Sequence, residues 1–270
     1  MFGRRSDGKI AKGISNFDKM LPYLMAQRYD AQNFVTQNIP YEPIKDYLNA
    51  KKADKTKLSL MHVVLAAYIR TVAKHPELNR FVVNRKIYDR NSICVSFVVL
   101  RKEGETTVKI PFKGDETVFE VADIIDSCVK SARNEEESTL VDKIVSTIFA
   151  LPLVPATTVS ILKWLDRHNI MPKSVVDASP FHSSLFFTNL ASIKMNSIYH
   201  HIAEFGTVSV FVSMGNRDKK VELDEDGKPF EAEYIPLKIV TDERICSGIV
   251  YTRCFADFRR YMLHPELLEE

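Results

Sequence analysis

The segment TDERICSG, residues 241–248, joins two sequence patterns that predict different secondary structures. Apolar residues recur just before it, in YIPLKIV (234–240), with the alternation of a β-strand. After it, IVYTRCFADFRRYML (249–263) has the apolar spacing of a helix. Polar and ionisable side chains are concentrated at this predicted strand-to-helix corner: Asp242, Glu243, Arg244, Cys246 and Ser247.

The chain of 270 residues has the composition of an ordinary globular protein, with 45% apolar and 27% charged residues. This length is enough to bury a substantial core. Strand and helix patterns are mixed without a regular alternation, a long linker or an internal repeat, so we predict a single α+β domain over 1–270. The net charge is +2 and no long basic run occurs, which argues against a nucleic-acid surface.

The cysteines indicate the compartment. Cys94, Cys128, Cys246 and Cys254 form neither a C-x-x-C pair nor a metal-ligand spacing with histidine. We therefore expect a reduced, cytoplasmic protein without a metal site. Residues 1–13 are basic but no apolar segment follows them, so they predict no secretory signal.

Local patterns predict most of the secondary structure. A helix is expected at 17–29, with Pro22 near its first turn. Ser59 is a candidate N-cap for the most apolar helix, which Pro76 should end and which should be buried against a sheet. The other predicted elements are strands at 31–39, 184–190 and 207–215, strand pairs at 91–112 around EGE and at 219–240 around an Asp-Gly turn, and helices at 42–48 and 118–137.

The segment IVSTIFALPLVPATTVSILKWL, residues 144–165, contains one charged residue, Lys163. Its length admits a membrane span, but Pro152 and Pro155 interrupt it, and serines and threonines are interspersed. We expect two short helices buried in protein; membrane contact through this segment and a lid over an acyl or pantetheine channel are the alternatives. The interval of about 140–172 is a predicted apolar insertion.

The corner resembles a known motif. DERICSG is similar to the D-H-R-x-x-D-G motif of the acyltransferase components of 2-oxo acid dehydrogenase complexes, and to the H-H-x-x-x-D-G motif of chloramphenicol acetyltransferases. Asp242, Arg244 and Gly248 are retained. In both groups the motif stands just before the last helix of a shared catalytic domain.

Two further stretches resemble the same family, in the same order. FFTNLAS (186–192) is similar to the family strand F-T-I-S-N-L-G, with Thr188 at the serine position and Asn189 unchanged. The helix sequence at 61–81 is similar to a family helix that ends in Pro-Glu-hydrophobic-Asn. The resemblance runs from about Leu21 to the C-terminus.

The resemblance implies the coenzyme A-dependent acyltransferase fold, a mixed sheet covered by helices, and a homotrimer with active sites at subunit interfaces. Coenzyme A or acyl-coenzyme A would be a substrate, and a small-molecule acyl acceptor would enter from the opposite side. In the family, the histidine is the general base, the serine binds the tetrahedral oxyanion, and the aspartate holds local structure through an arginine. The sequence shows no lipoyl domain with its attachment site, no peripheral subunit-binding domain and no Ala/Pro-rich linker, so we expect a stand-alone protein.

The sequence departs from the family at three positions: Glu243 replaces the histidine, Thr188 the serine and Ser247 the aspartate. Thr188 keeps a hydroxyl donor. Taking a proton from a thiol costs roughly 2 pKa units with a histidine base and roughly 4 with a glutamate, a difference of about 3 kcal/mol. That is on the order of a hundredfold in rate, and burial in an apolar channel would recover part of it.

Other residues are weaker candidates for the missing base. Cys246 stands next to acidic groups, which disfavour a thiolate, and we interpret it as an inert bystander. His200 and His201 form a suggestive pair, whereas His62, near the start of a buried helix, is interpreted as a core residue. The other histidines are His75, His168, His182 and His264.

Arg28 stands where the family often has a basic residue that pairs with the motif aspartate. Because Ser247 lacks a charge, we expect Arg28 to pair with Asp30, Asp242 or Glu243, or to have only a solvated or structural role.

Two functional hypotheses follow. In the first, the chain is a coenzyme A-dependent acyltransferase with altered or weak activity, in which Glu243 is the base, Thr188 stabilises the oxyanion, and Asp242, Arg244 and Asn189 organise the corner with Ser247, Gly248 and Arg28. In the second, it is a catalytically inactive homologue that acts as a ligand-binding or assembly trimer.

Overall fold

The computed structural model describes residues 4–101, 104–134 and 154–270, and within them ten strands form two sheets. The strands are β1 (Gly8–Ile10), β2 (Gln32–Pro40), β3 (Phe81–Val83), β4 (Lys86–Arg90), β5 (Ile93–Leu100), β6 (Glu105–Phe112), β7 (Leu185–Asn189), β8 (Val210–Met214), β9 (Asp218–Leu223) and β10 (Pro229–Asp242). The larger sheet has the order β2-β10-β8-β7-β5-β6, with β9 paired to β10, and the smaller has the order β1-β4-β3.

The larger sheet is mixed, and its longest strand, β10, ends at the corner motif. β10 is antiparallel to β2 and to β8, whereas β7 is parallel to both β5 and β8. Asp242 is opposite Gln32 in the register with β2. The end of β10 is therefore fixed by a strand from the N-terminal part of the chain.

The described residues contain seven α-helices: α1 (Asn16–Leu24), α2 (Glu42–Ala53), α3 (Leu60–Lys74), α4 (Val118–Asn134), α5 (Val154–Arg167), α6 (Lys173–Ala178) and α7 (Gly248–Leu263). Of these, α3, α4 and α7 pack on the larger sheet. α3 packs between α4 and α7, and α2 packs on α7. Within the described residues, no helix has both the length and the apolar character that a bilayer crossing requires.

Side chains of β10 alternate between two cores, as the period of a strand requires. Ile235, Leu237 and Ile239 join the main core under the helices. Val240 joins a smaller cluster with Phe211 on the opposite face. Each fully buried aliphatic side chain contributes roughly 1.5–3 kcal/mol relative to exposure, so both faces of the strand hold it in register.

The most apolar helix, α3, begins where the sequence predicts. The Ser59 hydroxyl accepts the His62 backbone N–H at 3.3 Å, and the His62 ring accepts the Ser59 backbone N–H at 3.3 Å. This reciprocal capping box satisfies two N–H groups that a helix start leaves free. Ten residues between His62 and Val72 are buried, which confirms the expected position against the sheet.

A buried ion cluster attaches the N-terminal strand to the end of α5. Arg5 contacts Asp7 at 2.7 Å and Asp166 at 2.8 Å, and its side chain is 2% exposed. Burial alone would raise the pKa of Asp166, but the His182 ring 3.4 Å away and the charge of Arg5 outweigh it and lower that pKa. Asp166 is therefore held as a carboxylate.

Several local predictions are confirmed: β2, the β5–β6 hairpin, β7, β8 and the β9–β10 pair all form. The turn between β9 and β10 contains Gly227 at φ +76°, a left-handed conformation that suits glycine. The Asp224 carbonyl accepts its N–H at 3.0 Å. The three-stranded sheet and α6 were not predicted from local patterns.

Two predicted boundaries are wrong. Pro22 lies near the end of α1 rather than near its first turn, because the helix already begins at Asn16, capped by the Ser15 hydroxyl at 3.0 Å. The helix predicted at 42–48 continues to Ala53, since the lysines of its last turn are favourable at a helix C-terminus.

The prediction of two buried helices in 144–165 is also wrong where the structure describes it. Pro155 stands in the first turn of α5, which tolerates proline. The apolar side chains of α5 are largely exposed, with Ile161 at 58% and Trp164 at 50%. The first half of the segment, and the part of the predicted insertion up to residue 153, lie outside the described residues.

We expect the ion cluster to contribute strongly to stability. Arg5→Met should lower the free energy of unfolding by about 3 kcal/mol, because it leaves Asp7 and Asp166 in a buried site without their shared cation. Urea unfolding monitored by circular dichroism measures the change. Arg217→Met, which breaks an exposed pair with Glu233, is the matched control and should cost at most about 1 kcal/mol. Equal effects in the two variants would contradict the assignment.

Candidate functional site

The corner is held by a buried carboxylate. Asp242 is fully buried and accepts two hydrogen bonds from the Arg244 guanidinium, at 2.8 Å and 2.7 Å. Its Oδ1 also accepts the Arg244 backbone N–H at 3.1 Å. The carbonyl of Asp242 accepts the Tyr251 hydroxyl at 2.7 Å. Asp242 therefore joins the end of β10 to both the following turn and α7.

Arg28 is the second cation of this network. Of the three acidic residues considered for it, Asp242 is the one at ion-pair distance, 3.5 Å. Arg28 also donates to the carbonyl of Gly206 at 3.0 Å and to the carbonyl of Ala203. A Cβ at Gly206 would lie 2.2 Å from the Phe181 carbonyl oxygen, so glycine is required for this close approach.

The pKa shifts of Arg28 and Arg244 agree with a structural role for both residues. Burial lowers the pKa of Arg28, although Asp242 and Glu204 oppose the shift. Burial would also lower the pKa of Arg244, but its hydrogen bonds and charge interaction with Asp242 dominate and raise it. Both side chains are thus cations packed around one anion.

The remaining corner residues differ in exposure. Glu243 is exposed, and its carboxylate makes no hydrogen bond or ion pair with a described residue. Ser247 begins α7 with its carbonyl accepting the Val250 N–H at 3.0 Å, and Gly248 opens the helix. Burial raises the pKa of Cys246 to about 12, so its thiol stays protonated at neutral pH, as the bystander interpretation expects.

Thr188 and Asn189 end β7 on the wall of a cavity of about 750 Å³. The lining is mostly apolar and includes Phe97 and Met214, with Lys57, Arg133 and other polar groups at the margin. The side-chain oxygen of Asn189 is buried without a hydrogen-bond partner. A large apolar cavity with a few polar groups is the usual form of a small-molecule site.

Glu243 at the corner and Thr188 on the cavity wall, here called the two half-sites of the predicted active site, are not brought together within one chain. Thr188 is paired with Ser213 of β8, and Ser213 with Lys238 of β10. Glu243 stands five residues beyond Lys238, or about 16 Å along the strand direction at about 3.3 Å per residue. The expectation that Asn189 organises the corner is therefore wrong for a single chain: it lies toward the opposite end of the sheet.

His62 lines the cavity, a position that the sequence did not indicate. It is buried, as expected, but it lines the same cavity as Thr188. Its Nδ1 accepts the Ser59 N–H, and its Nε2 lies 3.2 Å from Asp126. Both ring nitrogens are engaged, so His62 has no free lone pair with which to replace the missing base.

The rings of the adjacent histidines, His200 and His201, stack on each other with centroids 4.7 Å apart. The His200 ring stacks on Phe211 at a centroid distance of 4.2 Å. Neither histidine lines the cavity. Within residues 4–101, 104–134 and 154–270, no cluster of histidine, cysteine and acidic side chains has the arrangement of a metal site.

Solved structures with the same architecture identify the fold. A probable dihydrolipoamide acetyltransferase from Listeria monocytogenes aligns with 96% of this chain and 95% of its own, at a TM-score of 0.60 and 12% identity. The chain has the fold of 2-oxo acid dehydrogenase acyltransferase cores and chloramphenicol acetyltransferases.

Two other structures agree with this fold. Dihydrolipoamide acetyltransferase of Azotobacter vinelandii aligns over 96% of this chain and 94% of its own, at a TM-score of 0.61 and 10% identity. A chloramphenicol acetyltransferase aligns over 94% of this chain and 99% of its own, at a TM-score of 0.56 and 12% identity. No family model and no curated protein sequence matches. Since the identities are this low, the similarity establishes the fold and leaves the activity to the site.

Neighbouring residues of the corner should respond very differently to loss of charge. Asp242→Asn should lower the free energy of unfolding by about 3 kcal/mol, because two buried arginines lose their shared anion. Glu243→Gln, its matched control, should change it by no more than about 0.5 kcal/mol, since that side chain is exposed. Thermal and urea unfolding measure both; a stable Asp242→Asn protein would refute the network's structural role.

His62 should make stability sensitive to mild acid. Burial lowers its pKa, although Asp126 opposes the shift, so the unfolded chain takes up this proton first as the pH falls below about 6.5. Stability from neutral His62 is complete above that pH and decreases below it, by at most about 1.4 kcal/mol per pH unit, until the folded-state pKa is reached.

The variant His62→Gln tests this. Glutamine suits the capping-box position and does not titrate, so its stability should match the wild type near neutral pH and exceed it in mild acid. Urea unfolding of both proteins between about pH 7 and 5 gives the comparison. Parallel pH profiles would mean that His62 does not titrate in this range.

Proposed function

We propose that this protein is an acyltransferase that moves an acyl group between coenzyme A and a thiol or hydroxyl acceptor, at sites formed between copies of the chain. Glu243 of one copy would face the Thr188 cavity of the next. The observation that carries the proposal is the preserved corner network at one end of the sheet, with a large apolar cavity behind Thr188 toward the other end.

Exposed apolar side chains flank both half-sites. Leu24 of α1, which packs at the corner, is 66% exposed, and Ile249, at the start of α7, is 64% exposed. Beside Thr188, Ile193 is 53% and Met195 is 44% exposed. Exposed apolar side chains grouped next to a site are suited to an interface, and a second copy of the chain would cover both groups at once. A homotrimer is the assembly we propose.

Each group has a definite task in the proposed reaction. The Glu243 carboxylate accepts the proton of the acceptor thiol or hydroxyl as that atom attacks the thioester carbonyl. The Thr188 hydroxyl donates a hydrogen bond to the resulting oxyanion. When the intermediate collapses, the C–S bond to coenzyme A breaks, and Glu243 returns the proton to the leaving thiolate. Atoms and charges balance without a further reactant.

The unpartnered oxygen of Asn189 supports a ligand with an amide. The coenzyme A arm carries amide N–H groups, and a buried acceptor without a partner costs about 1–3 kcal/mol unless a ligand supplies a donor. Asn189 would therefore hold substrate inside the cavity. Asp242, Arg244 and Arg28 position the corner, and Ser247 and Gly248 begin the helix behind it.

The replaced motif histidine favours a second candidate function. Glutamate is the weaker base by about 3 kcal/mol toward a thiol, and Glu243 makes no contact that would orient it in the single chain. In this alternative the chain is a catalytically inactive trimer that binds the ligand or serves assembly. A structural study of the Azotobacter enzyme concerned the catalytic roles of a serine, a histidine and an asparagine, which sharpens the question for Thr188 and Glu243.

A thiol-release assay with acetyl-coenzyme A and a panel of acceptors distinguishes the acyltransferase from the inactive trimer. Under the first function, Glu243→Gln and Thr188→Ala should each reduce the rate about a hundredfold. Thr188→Ser should retain activity, and Glu243→His should raise it toward about a hundredfold above wild type. Glu225→Gln, in the β9–β10 turn, is the control. Calorimetric binding without turnover in any variant would instead support the inactive trimer.

Mixed assemblies test the interface arrangement directly. Glu243→Gln and Thr188→Ala chains, unfolded together and refolded, should regain about one quarter of wild-type activity, because about one interface in four would pair two intact residues. Each variant refolded alone is the control. No recovery in verified mixed trimers would show that both residues do not act across an interface.

A further inference from the structure

A second cleft lies beside the corner, apart from the Thr188 cavity. It has a volume of about 240 Å³ and lies between the β3–β4 turn, the last turn of α5 and residues 203–206. Its lining includes five cationic residues, Arg28, Arg85, Lys163, Arg167 and Arg244, and two acidic ones, Asp166 and Glu204. The lining therefore carries an excess of three positive charges.

The inner charges of the cleft are already matched. Arg28 and Arg244 share Asp242 behind the wall. Asp166 is bound by Arg5 and faces His182 at 3.4 Å. Counting Asp242 still leaves an excess of two positive charges, so this excess belongs to the outer residues.

The outer cations have no such partners. Arg85, Lys163 and Arg167 are exposed, and none makes an ion pair with a described residue. Lys163 and Arg167 are four residues apart on α5 and so point from the same face. Arg85 is presented by a tight turn in which it has φ +60°, and its guanidinium lies 5.6 Å from the centre of the Tyr23 ring.

We propose that this cleft binds a phosphate or pyrophosphate group. Its volume is below the range of about 300–1,000 Å³ that is usual for drug-sized ligands, so a small anion fits better than an organic body. Two guanidinium groups and an ammonium at the mouth are suited to multivalent phosphate oxygens. The proposal goes beyond acyl transfer, since a phosphate would bind here in an inactive protein as well.

The test is calorimetric titration with sodium pyrophosphate at low ionic strength. The affinity should fall as sodium chloride is added, because exposed charges are screened. Lys163→Gln and Arg167→Gln should each weaken binding about tenfold, and the double variant about a hundredfold. Lys228→Gln, an exposed lysine of the β9–β10 turn that does not line the cleft, is the matched control.

The outcomes are separable. An unchanged dissociation constant in the double variant, or no binding at about 10 mM pyrophosphate, overturns the proposal. Because Lys163 and Arg167 are exposed, the variants should melt with the wild type, and circular dichroism verifies this. Weaker pyrophosphate binding in variants that remain folded supports the proposed phosphate site.

Two sources of phosphate can then be distinguished. If adenosine 3′,5′-bisphosphate and coenzyme A displace pyrophosphate, and pantetheine does not, the cleft takes the nucleotide end of coenzyme A. If only inorganic pyrophosphate or phosphate binds, it takes a free anion. Both results support the site, and neither depends on turnover, so failure of the proposed acyltransferase function would be seen separately.

Discussion

The buried carboxylate of Asp242 is the interaction on which the corner depends. A charge of this kind is costly in a protein interior unless cations and hydrogen bonds surround it. Arg244 supplies two hydrogen bonds from the next turn, and Arg28 approaches from a segment more than two hundred residues earlier in the chain. One carboxylate thereby joins the end of β10, the start of α7 and the N-terminal part of the chain.

This network also separates the buried residues of the corner from the exposed carboxylate between them. Asp242 and Arg244 are buried and stabilise the corner, whereas Glu243 between them is exposed. Glu243 and Arg244 lie in a short 3₁₀ turn that follows the strand. Because Glu243 makes no hydrogen bond or ion pair with a described residue, its substitution leaves the buried pair intact. Adjacent residues can therefore have separate roles, one structural and one catalytic. The presence of Asp242 and Arg244 is evidence for the fold and not for an activity.

The sequence predicted features that depend on neighbours along the chain. Ser59 caps α3, and the alternation before Asp242 makes a strand, because both follow from local hydrogen bonds and side-chain period. It did not predict the order and directions of β7, β8 and β10, which place Thr188 and Glu243 far apart within one chain. Nor did it predict that His62 lines the cavity, which requires the packing of α3 beside α4.

The exposure of α5 has the same explanation. Its apolar residues, such as Ile161 and Trp164, are predicted to be buried from the sequence pattern, but in the structure they are exposed, and Asp166 at the end of the helix pairs with Arg5. A pattern reports that an apolar face needs cover and does not say whether the cover is the same chain or another. The apolar side chains of α5, like those beside Glu243 and Thr188, are left exposed by the fold of a single chain. Assembly is therefore the physical condition under which the two half-sites would become one.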